Sequence, residues 1–531
     1  MSGIKTGQAE VWREYERAVS YNAGLGLYEQ VQRNEDFYIG EQWKGLEAPD
    51  LDKPVMNILR RVVSFFISSI VSDDIGIHVS RFAAGEADRP VLRMLDGQFD
   101  RILELAEVKR KLRQMIRDAA VDGDGCLHYW FDPEAGGEAG GAQLTPGEIR
   151  AEVLENTNVH FGNPQLAEVE GQPYILLCYR RRVEDVRGQA RAAGMPGWQA
   201  VCEDRDAQGV NAGEEAGKAT VVRKYYKQGG RVWYTEVTAG AVVRPPTDTG
   251  YTRYPLAWMS WERVKNRFHG QAAITALIPN QIFVNKLYAM AMRHVSTMAF
   301  PKVVYNRALL PDGWDNRVGA AIGVVGDPRT AVMNGVRAPD MSAQVMQLID
   351  RAMADTRDTM GASDASLGNV RPDNTSAIIA TQKATSMPLE LQKMAFYDFV
   401  EASVRIWLDM MGVNYGVRLV EMETPAGPDG QAGRQAVAFD FSRLRGMGLK
   451  LNVEIGAATY WSELMQVQTL DALYASHVLT DPVVYLENMP AGYVPGKQQI
   501  IESIQKSRQA QAGGLPGPPT GTGGALPPGL G

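Results

Sequence analysis

The chain has 531 residues, of which 45% are hydrophobic and 22% are charged, and its net charge is −7. These values are typical of a globular protein long enough for two to four domains, and they exclude a disordered or fibrous chain. Tight DNA binding through the phosphates usually requires a basic balance or a stripe of Lys and Arg, and the sequence has neither.

The cysteines and the apolar runs indicate the compartment of the protein and argue against a membrane-spanning helix. Cys126, Cys178 and Cys202 are too few and too scattered for a disulfide framework or a zinc site, so we expect a reducing compartment and no metal or cofactor. The apolar run Val62–Val71 is far shorter than the roughly 20 residues of a membrane-spanning helix. The first residues lack the apolar stretch of a signal peptide, which predicts synthesis and assembly in the cytoplasm.

The first half of the chain begins with helices and continues with strands. Helical periodicity predicts helices over residues 9–45, Leu51–Val71 and Arg89–Asp122. From Gly125 to about residue 255, short β-branched and aromatic runs predict strands, and Gly229-Gly230 predicts the turn of a hairpin.

The centre of the chain has two helical segments of equal length around a strand-rich insert. They are predicted at Pro279–Met298 and at Met341–Met360, the second capped by Asp340. Each would span roughly 30 Å at 1.5 Å per residue. Equal helices that go out and come back predict a stalk carrying a small module, about Phe300–Pro339. The alternative is two consecutive core helices joined by a β-hairpin.

A polar loop, Gly361–Asn374, is predicted after the stalk. A long helix should follow from about residue 374 to Met411, with a kink at Pro388. Strands are predicted around residues 415–456. Near the C-terminus we expect two helices, the second capped by Asp481, then a helix over about residues 497–511 and a Pro/Gly-rich tail that cannot bury a core.

No group of residues forms a catalytic constellation. Asp122, Asp124 and His128 lie close in sequence, but the other oxygen ligands of a calcium loop are missing, and a tight turn before a strand is the simpler interpretation. Residues 491–499 resemble a phosphate-binding loop, but the spacing is short and Gln498 replaces the hydroxyl that would bind magnesium. These absences favour a structural protein over an enzyme.

Four segments together resemble the portal (head-to-tail connector) proteins of tailed double-stranded-DNA bacteriophages. The resemblance covers about residues 30–505. It rests on the sequences FYIGEQW with DKPVMNILRR, DGDGCLHYWFD, HGQAAITALIPNQIFVNKLYAMAM with Gln281 and Asn285 at its polar positions, and WSELMQVQTLDALYASHVLTDPVVYLENMP. It implies an α+β, mainly helical subunit of several domains that assembles into a dodecameric ring enclosing a DNA channel at one capsid vertex.

The resemblance also implies an order of domains. These are a wing (1–265), a first stem helix (269–298), a clip (299–340), a second stem helix (341–361), a channel loop (362–373), a kinked wing helix with returning strands (374–456), a crown (457–512) and a flexible tail (513–531). The implied partners are further copies of the chain, passing double-stranded DNA, the terminase large subunit, the major capsid protein, a scaffolding protein and a head-tail adaptor. The loop at 424–433 and the tail have no assignment.

Three sets of candidate residues follow from this layout. The channel loop offers Asn369, Arg371 and Asn374 to DNA, although Arg371 is equally consistent with a solvated loop charge. The clip tip offers a docking surface for terminase or adaptor, although Trp314 equally fits the clip's own core or a contact with the neighbouring subunit; this set is Asp312, Trp314, Asp315 and Arg317. Because a ring closes by a head-to-tail interface, the stem should be apolar on more than one face, and the candidates are Ile282, Leu287, Tyr288, Met290 and Val295.

Two other functions remain open at this point. One is a different head-tail ring component, and such proteins are usually shorter and lack the stalk. The other is a DNA-processing enzyme, which would need clustered carboxylates or a complete phosphate loop.

Overall fold

In the computed structural model, the described residues are 6–47, 51–71, 75–81, 89–135, 138–139, 142–143, 147–205, 217–299, 302–313, 322–336, 343–358, 389–423, 434–455, 460–476, 478–489, 494, 497, 500–501 and 503–504. The chain divides into two compact units, Met1–Ile455 and Gly456–Gly531. None of the described helices is long and apolar enough to cross a membrane.

The first unit begins with helices α1 (Gln8–Gly24), α2 (Leu27–Ile39) and α3 (Ile58–Ile70). The helical start predicted over residues 9–45 is broken at Gly26, whose φ of 69° leaves the helical region. The predicted start of the next helix at Leu51 is wrong, because Asn57 caps α3 by accepting a hydrogen bond from the Arg60 amide at 3.1 Å.

Two helices occupy the segment where one was predicted. They are α4 (Arg89–Leu105) and α5 (Val108–Asp122), and Glu107 between them has a φ of 50°. Ala106 and Val108 on either side of the break are buried, so the chain turns without exposing its apolar face. The strand β1 (Ile75–Arg81), which was not predicted, precedes α4.

Antiparallel sheets form most of the predicted strand region. The elements are β2 (Asp124–Asp132), β3 (Glu138–Ala139), β4 (Ala142–Gln143), β5 (Glu148–Leu154), β6 (Val159–Phe161), β7 (Tyr174–Arg182), α6 (Val183–Ala192), β8 (Lys218–Gln228), β9 (Arg231–Val237), β10 (Val242–Asp248) and β11 (Leu256–Ser260). A three-stranded sheet has the order β11-β2-β5 and a five-stranded sheet the order β10-β9-β8-β7-β6. The predicted hairpin is confirmed: β8 pairs with β9, and Gly229 and Gly230 both have positive φ, as a two-residue turn requires.

The centre of the chain goes out along one helix and returns along another. Helix α7 (Ile278–Ala299) has 22 residues and α9 (Ala343–Asp358) has 16. Between them, β12 (Lys302–Tyr305) pairs antiparallel with β13 (Val332–Val336), which follows the short helix α8 (Pro328–Ala331). Within the insert that was predicted to be rich in strands, residues 322–327 form no strand.

The returning helix packs against the outgoing one along a single face. Ile349 is fully buried, Ala352 and Met353 pack against the main core, and the Tyr288 hydroxyl lies 3.6 Å from the Met353 sulfur. The predicted ends Met341 and Met360 and the cap Asp340 lie outside the described residues.

Helix α10 (Glu390–Asn414) passes through the main core, where Trp407 is fully buried against Phe99 and Tyr129. Its predicted beginning near residue 374 and the predicted kink at Pro388 lie outside the described residues. The returning strands are β14 (Val417–Glu423), which pairs with β15 (Arg434–Asp440), and β16 (Leu449–Ile455), which pairs with β1.

The second unit contains α11 (Tyr460–Ala475) and α12 (Pro482–Glu487). The predicted cap of the second helix is confirmed, since Asp481 accepts a hydrogen bond from the Val483 amide at 2.8 Å and Pro482 opens the helix. Tyr485 joins the two helices through a 2.5 Å hydrogen bond to Asp471.

Candidate functional site

A buried group of side-chain amides holds the root of α7. The Gln281 side chain accepts a hydrogen bond from the Ile58 amide at 3.0 Å and donates to the Met56 carbonyl at 2.6 Å and to Asn285 Oδ1 at 3.0 Å. Asn285 in turn donates to Gln42 Oε1 at 2.6 Å. Since all three amide side chains are buried, these bonds form where water does not compete.

This amide network joins three sequence segments that stood out separately. Gln42 comes from FYIGEQW, Met56 and Ile58 from the segment that leads into α3, and Gln281 and Asn285 from the first turns of α7. The root of the outgoing helix is therefore fixed to the start of α3 and to the turn after α2.

A second node anchors the chain just before α7. The Asp124 carboxylate accepts hydrogen bonds from the Ser260 hydroxyl at 2.7 Å, from the Gly270 amide at 2.8 Å and from His269 Nδ1 at 3.0 Å. Burial, together with the smaller effect of His269, lowers the pKa of the neighbouring His160 to about 3, so His160 is uncharged at neutral pH.

Gly123 allows this close approach of backbones. Its φ is 105°, and a Cβ built on it would lie 2.7 Å from the Gly270 carbonyl oxygen. We expect Gly123→Ala to lower the free energy of unfolding by about 2 kcal/mol, because the side chain strains a left-handed residue and displaces Gly270. Urea unfolding followed by tryptophan fluorescence measures the loss.

Gly188→Ala is the matched control for that prediction. Gly188 lies inside α6, and a Cβ there would meet nothing within 4 Å. We expect it to leave stability unchanged or raise it by up to about 1 kcal/mol. Equal losses for the two variants would show that the Gly123 turn has no special role.

The outgoing helix is apolar on a second face. Phe283, Leu287 and Met290 recur at i, i+4 and i+7, on a different face from the buried Val284 and Ala291. Phe283 is 46% exposed and Met290 64% exposed. A helix that is apolar around most of its circumference is normally covered on both sides, so the stripe formed by Phe283, Leu287 and Met290 marks an interaction surface.

The five predicted interface residues differ from one another in how exposed they are. Met290 and Val295 are exposed, the latter by 55%, and Leu287 is half-buried. Ile282 and Tyr288 pack partly against the subunit's own core. Sequence reasoning missed Phe283, which its spacing of four and seven residues to Leu287 and Met290 could have revealed, and it also missed the exposed Met346 and Leu348 on α9.

Most of the other candidates lie outside the described residues. This applies to the channel-loop residues Asn369, Arg371 and Asn374 and to the clip residues Trp314, Asp315 and Arg317. Asp312 is described and lies exposed in a turn after β12.

The acidic and histidine side chains considered for a metal belong to separate networks. Asp124 binds the groups described above, whereas His128 lies 2.8 Å from Glu152 and 3.0 Å from the Tyr225 hydroxyl. Burial lowers the pKa of His128, which outweighs the opposing effect of Glu152. Within the described ranges, no cluster of three or more His, Cys, Asp or Glu residues could hold a metal ion.

A family model described as phage P22-like portal protein matches residues 167–417. This segment is a little under half of the chain. It runs from just before β7 to the start of β14, so it includes both α7 and α9. The match confirms the resemblance drawn from the sequence. No curated protein matches the chain.

Proposed function

We propose that the chain is a phage portal protein, as the family match over residues 167–417 supports, and that it forms a closed dodecameric ring at one vertex of the capsid. In this ring α7 and α9 form the stem, β12 and β13 belong to the clip, and the sheets with α10 form the wing. The second unit, with α11 and α12, forms the crown.

The apolar stripe on α7 is the observation that carries this proposal. A chain that worked as a monomer would gain nothing by exposing Phe283 and Met290 on a helix that already buries another face. A ring closes through a heterologous interface, in which one surface of a subunit meets a different surface of the next. The stripe supplies one such surface, and Met346 and Leu348 on the flank of α9 supply apolar side chains for the other.

The charge of the chain suits passage of DNA rather than storage of it. A channel lined by many Lys and Arg would hold the phosphates and slow their movement at low salt. With a net charge of −7, the ring offers few strong contacts at any DNA sequence. Asn369, Arg371 and Asn374 stay our candidates for isolated polar contacts in the channel.

The ends of the ring serve the other steps of packaging and ejection. We propose that the clip, with Asp312, Trp314, Asp315 and Arg317, docks the terminase large subunit during packaging and a head-tail adaptor afterwards. The wing faces the major capsid protein and the scaffolding protein during assembly in the host cytoplasm. No catalytic role is assigned to any residue, in keeping with the structural nature of the family.

Sedimentation velocity of the purified chain tests this assembly. We expect a dodecamer, a species with twelve times the 58.3 kDa mass of the subunit. Adding duplex DNA at physiological salt should leave the sedimentation of the DNA nearly unchanged. A monomer that binds duplex DNA tightly at that salt would instead favour a DNA-processing protein.

A further inference from the structure

An open groove lies beside the amide network at the root of α7. Its walls are α2 and the turn after it, and its floor includes Ile282, Asn285 and Lys286 of α7; its volume is about 840 Å³. The apolar lining includes Phe37, Trp43 and Leu46, and Leu46 is 46% exposed. A hydrogen bond of 2.8 Å from the Trp43 indole to the Pro54 carbonyl fixes that wall.

The groove is continuous with the apolar stripe on α7. Lys286 lines the groove and follows Phe283 by three residues, so both lie on neighbouring faces of the same helix turn. A subunit that covers the stripe therefore reaches the mouth of the groove.

The first turn of α10 carries a matching apolar projection. Leu391 is 75% exposed and Met394, one turn later, is 55% exposed, although Leu389 just before them is buried. No residue of α10 lines the groove, so the groove and the projection are separate surfaces of one subunit. Separate complementary surfaces are what a head-to-tail ring contact needs.

One charge on each surface is unpaired within the subunit. The groove lining carries both signs of charge, and its Lys44 pairs with Asp36 and Glu41. Lys286 of the groove forms no ion pair with any described residue, and the same holds for Glu390 beside Leu391. Lys286 in the groove and Glu390 at the edge of the projection would pair when Leu391 enters the groove.

We propose that the groove between α2 and α7 receives Leu391 and Met394 from α10 of the neighbouring copy of the chain. This inference rests on the proposed ring, and it adds a contact between the wing of one subunit and the stem root of the next. It gives the amide network a second role, since that network fixes the floor of the groove.

Disulfide trapping tests the contact. Leu46→Cys and Leu391→Cys are combined in a chain that also carries Cys202→Ser, because Cys202 is exposed whereas Cys126 and Cys178 are buried. Mild oxidation should produce a denaturant-resistant ladder of covalent multimers up to the full ring. The control chain combines Leu391→Cys with Leu166→Cys, an exposed position in the wing, and should stay monomeric under denaturing electrophoresis.

The outcomes separate this inference from the proposed function. Rings seen by electron microscopy without a ladder from the Leu46 and Leu391 pair would overturn the groove contact and leave the ring intact. Absence of rings in the unmodified chain would overturn both.

A charge exchange provides a second readout. Lys286→Glu and Glu390→Lys should each lower the affinity between subunits about fivefold, because each removes one partly exposed ion pair. The double variant, in which the two charges are exchanged, should restore the affinity. Additive weakening in the double variant would contradict the pairing.

Discussion

Phe283→Asp is expected to abolish ring assembly and leave a folded subunit. The Phe283 side chain is exposed in the single chain, so an aspartate there costs the isolated subunit little. In a ring the stripe is covered, and each interface would then lose an apolar contact and bury an unpaired carboxylate, roughly 3–5 kcal/mol. That loss corresponds to a change of about a thousandfold in the subunit affinity. Sedimentation velocity over a concentration series measures it.

Leu166→Asp is the control for this change. Leu166 is also an exposed apolar residue, but it lies between β6 and β7, far in sequence from the stripe. The control should form rings as the unmodified chain does, and both variants should keep the same far-ultraviolet circular dichroism. Full assembly of the Phe283→Asp chain would show that the stripe is not a subunit interface.

Gln281→Leu is expected to destabilise the subunit itself, whatever its state of assembly. The leucine has nearly the same size, but it removes the three hydrogen bonds that Gln281 forms with the Ile58 amide, the Met56 carbonyl and Asn285 Oδ1. The Ile58 amide still donates to the Met56 carbonyl, and Asn285 Oδ1 still accepts from the Met56 amide. A buried hydrogen bond contributes about 1 kcal/mol, so we expect the free energy of unfolding to fall by roughly 3 kcal/mol. Urea unfolding of dissociated subunits gives this value.

Gln347→Leu supplies the comparison for that substitution. Gln347 lies on an exposed face of α9, so the same chemical change should alter the unfolding free energy by less than about 0.5 kcal/mol. A loss at Gln281 no larger than that at Gln347 would mean that the amide network does not hold the root of α7.

The sequence predicted individual helices and turns better than the contacts between them. Apolar periodicity over about 20 residues identifies a helix such as α7 without knowledge of its neighbours. It also identified Gly229-Gly230, because only a few residue types accept positive φ at both turn positions. The break at Glu107 was missed, since a non-glycine residue at positive φ leaves no compositional signal.

The candidate site depended on contacts between distant parts of the chain. Gln281 and Asn285 were noticed as polar residues in an apolar helix, but their partners Gln42 and Ile58 lie more than two hundred residues earlier in the sequence. Periodicity carries no information about such pairs. Phe283 was missed for a related reason, because an apolar residue on a helix has the same sequence signal whether it is covered by its own chain or by another copy.

Two-dimensional class averages of the purified, unmodified chain in negative stain test the central claim most directly. We predict closed rings with a central opening and dodecameric symmetry, and the opening should be wide enough for duplex DNA. Particles of one or two subunits without rings, at the highest concentration that stays in solution, would contradict a portal ring formed by this chain alone.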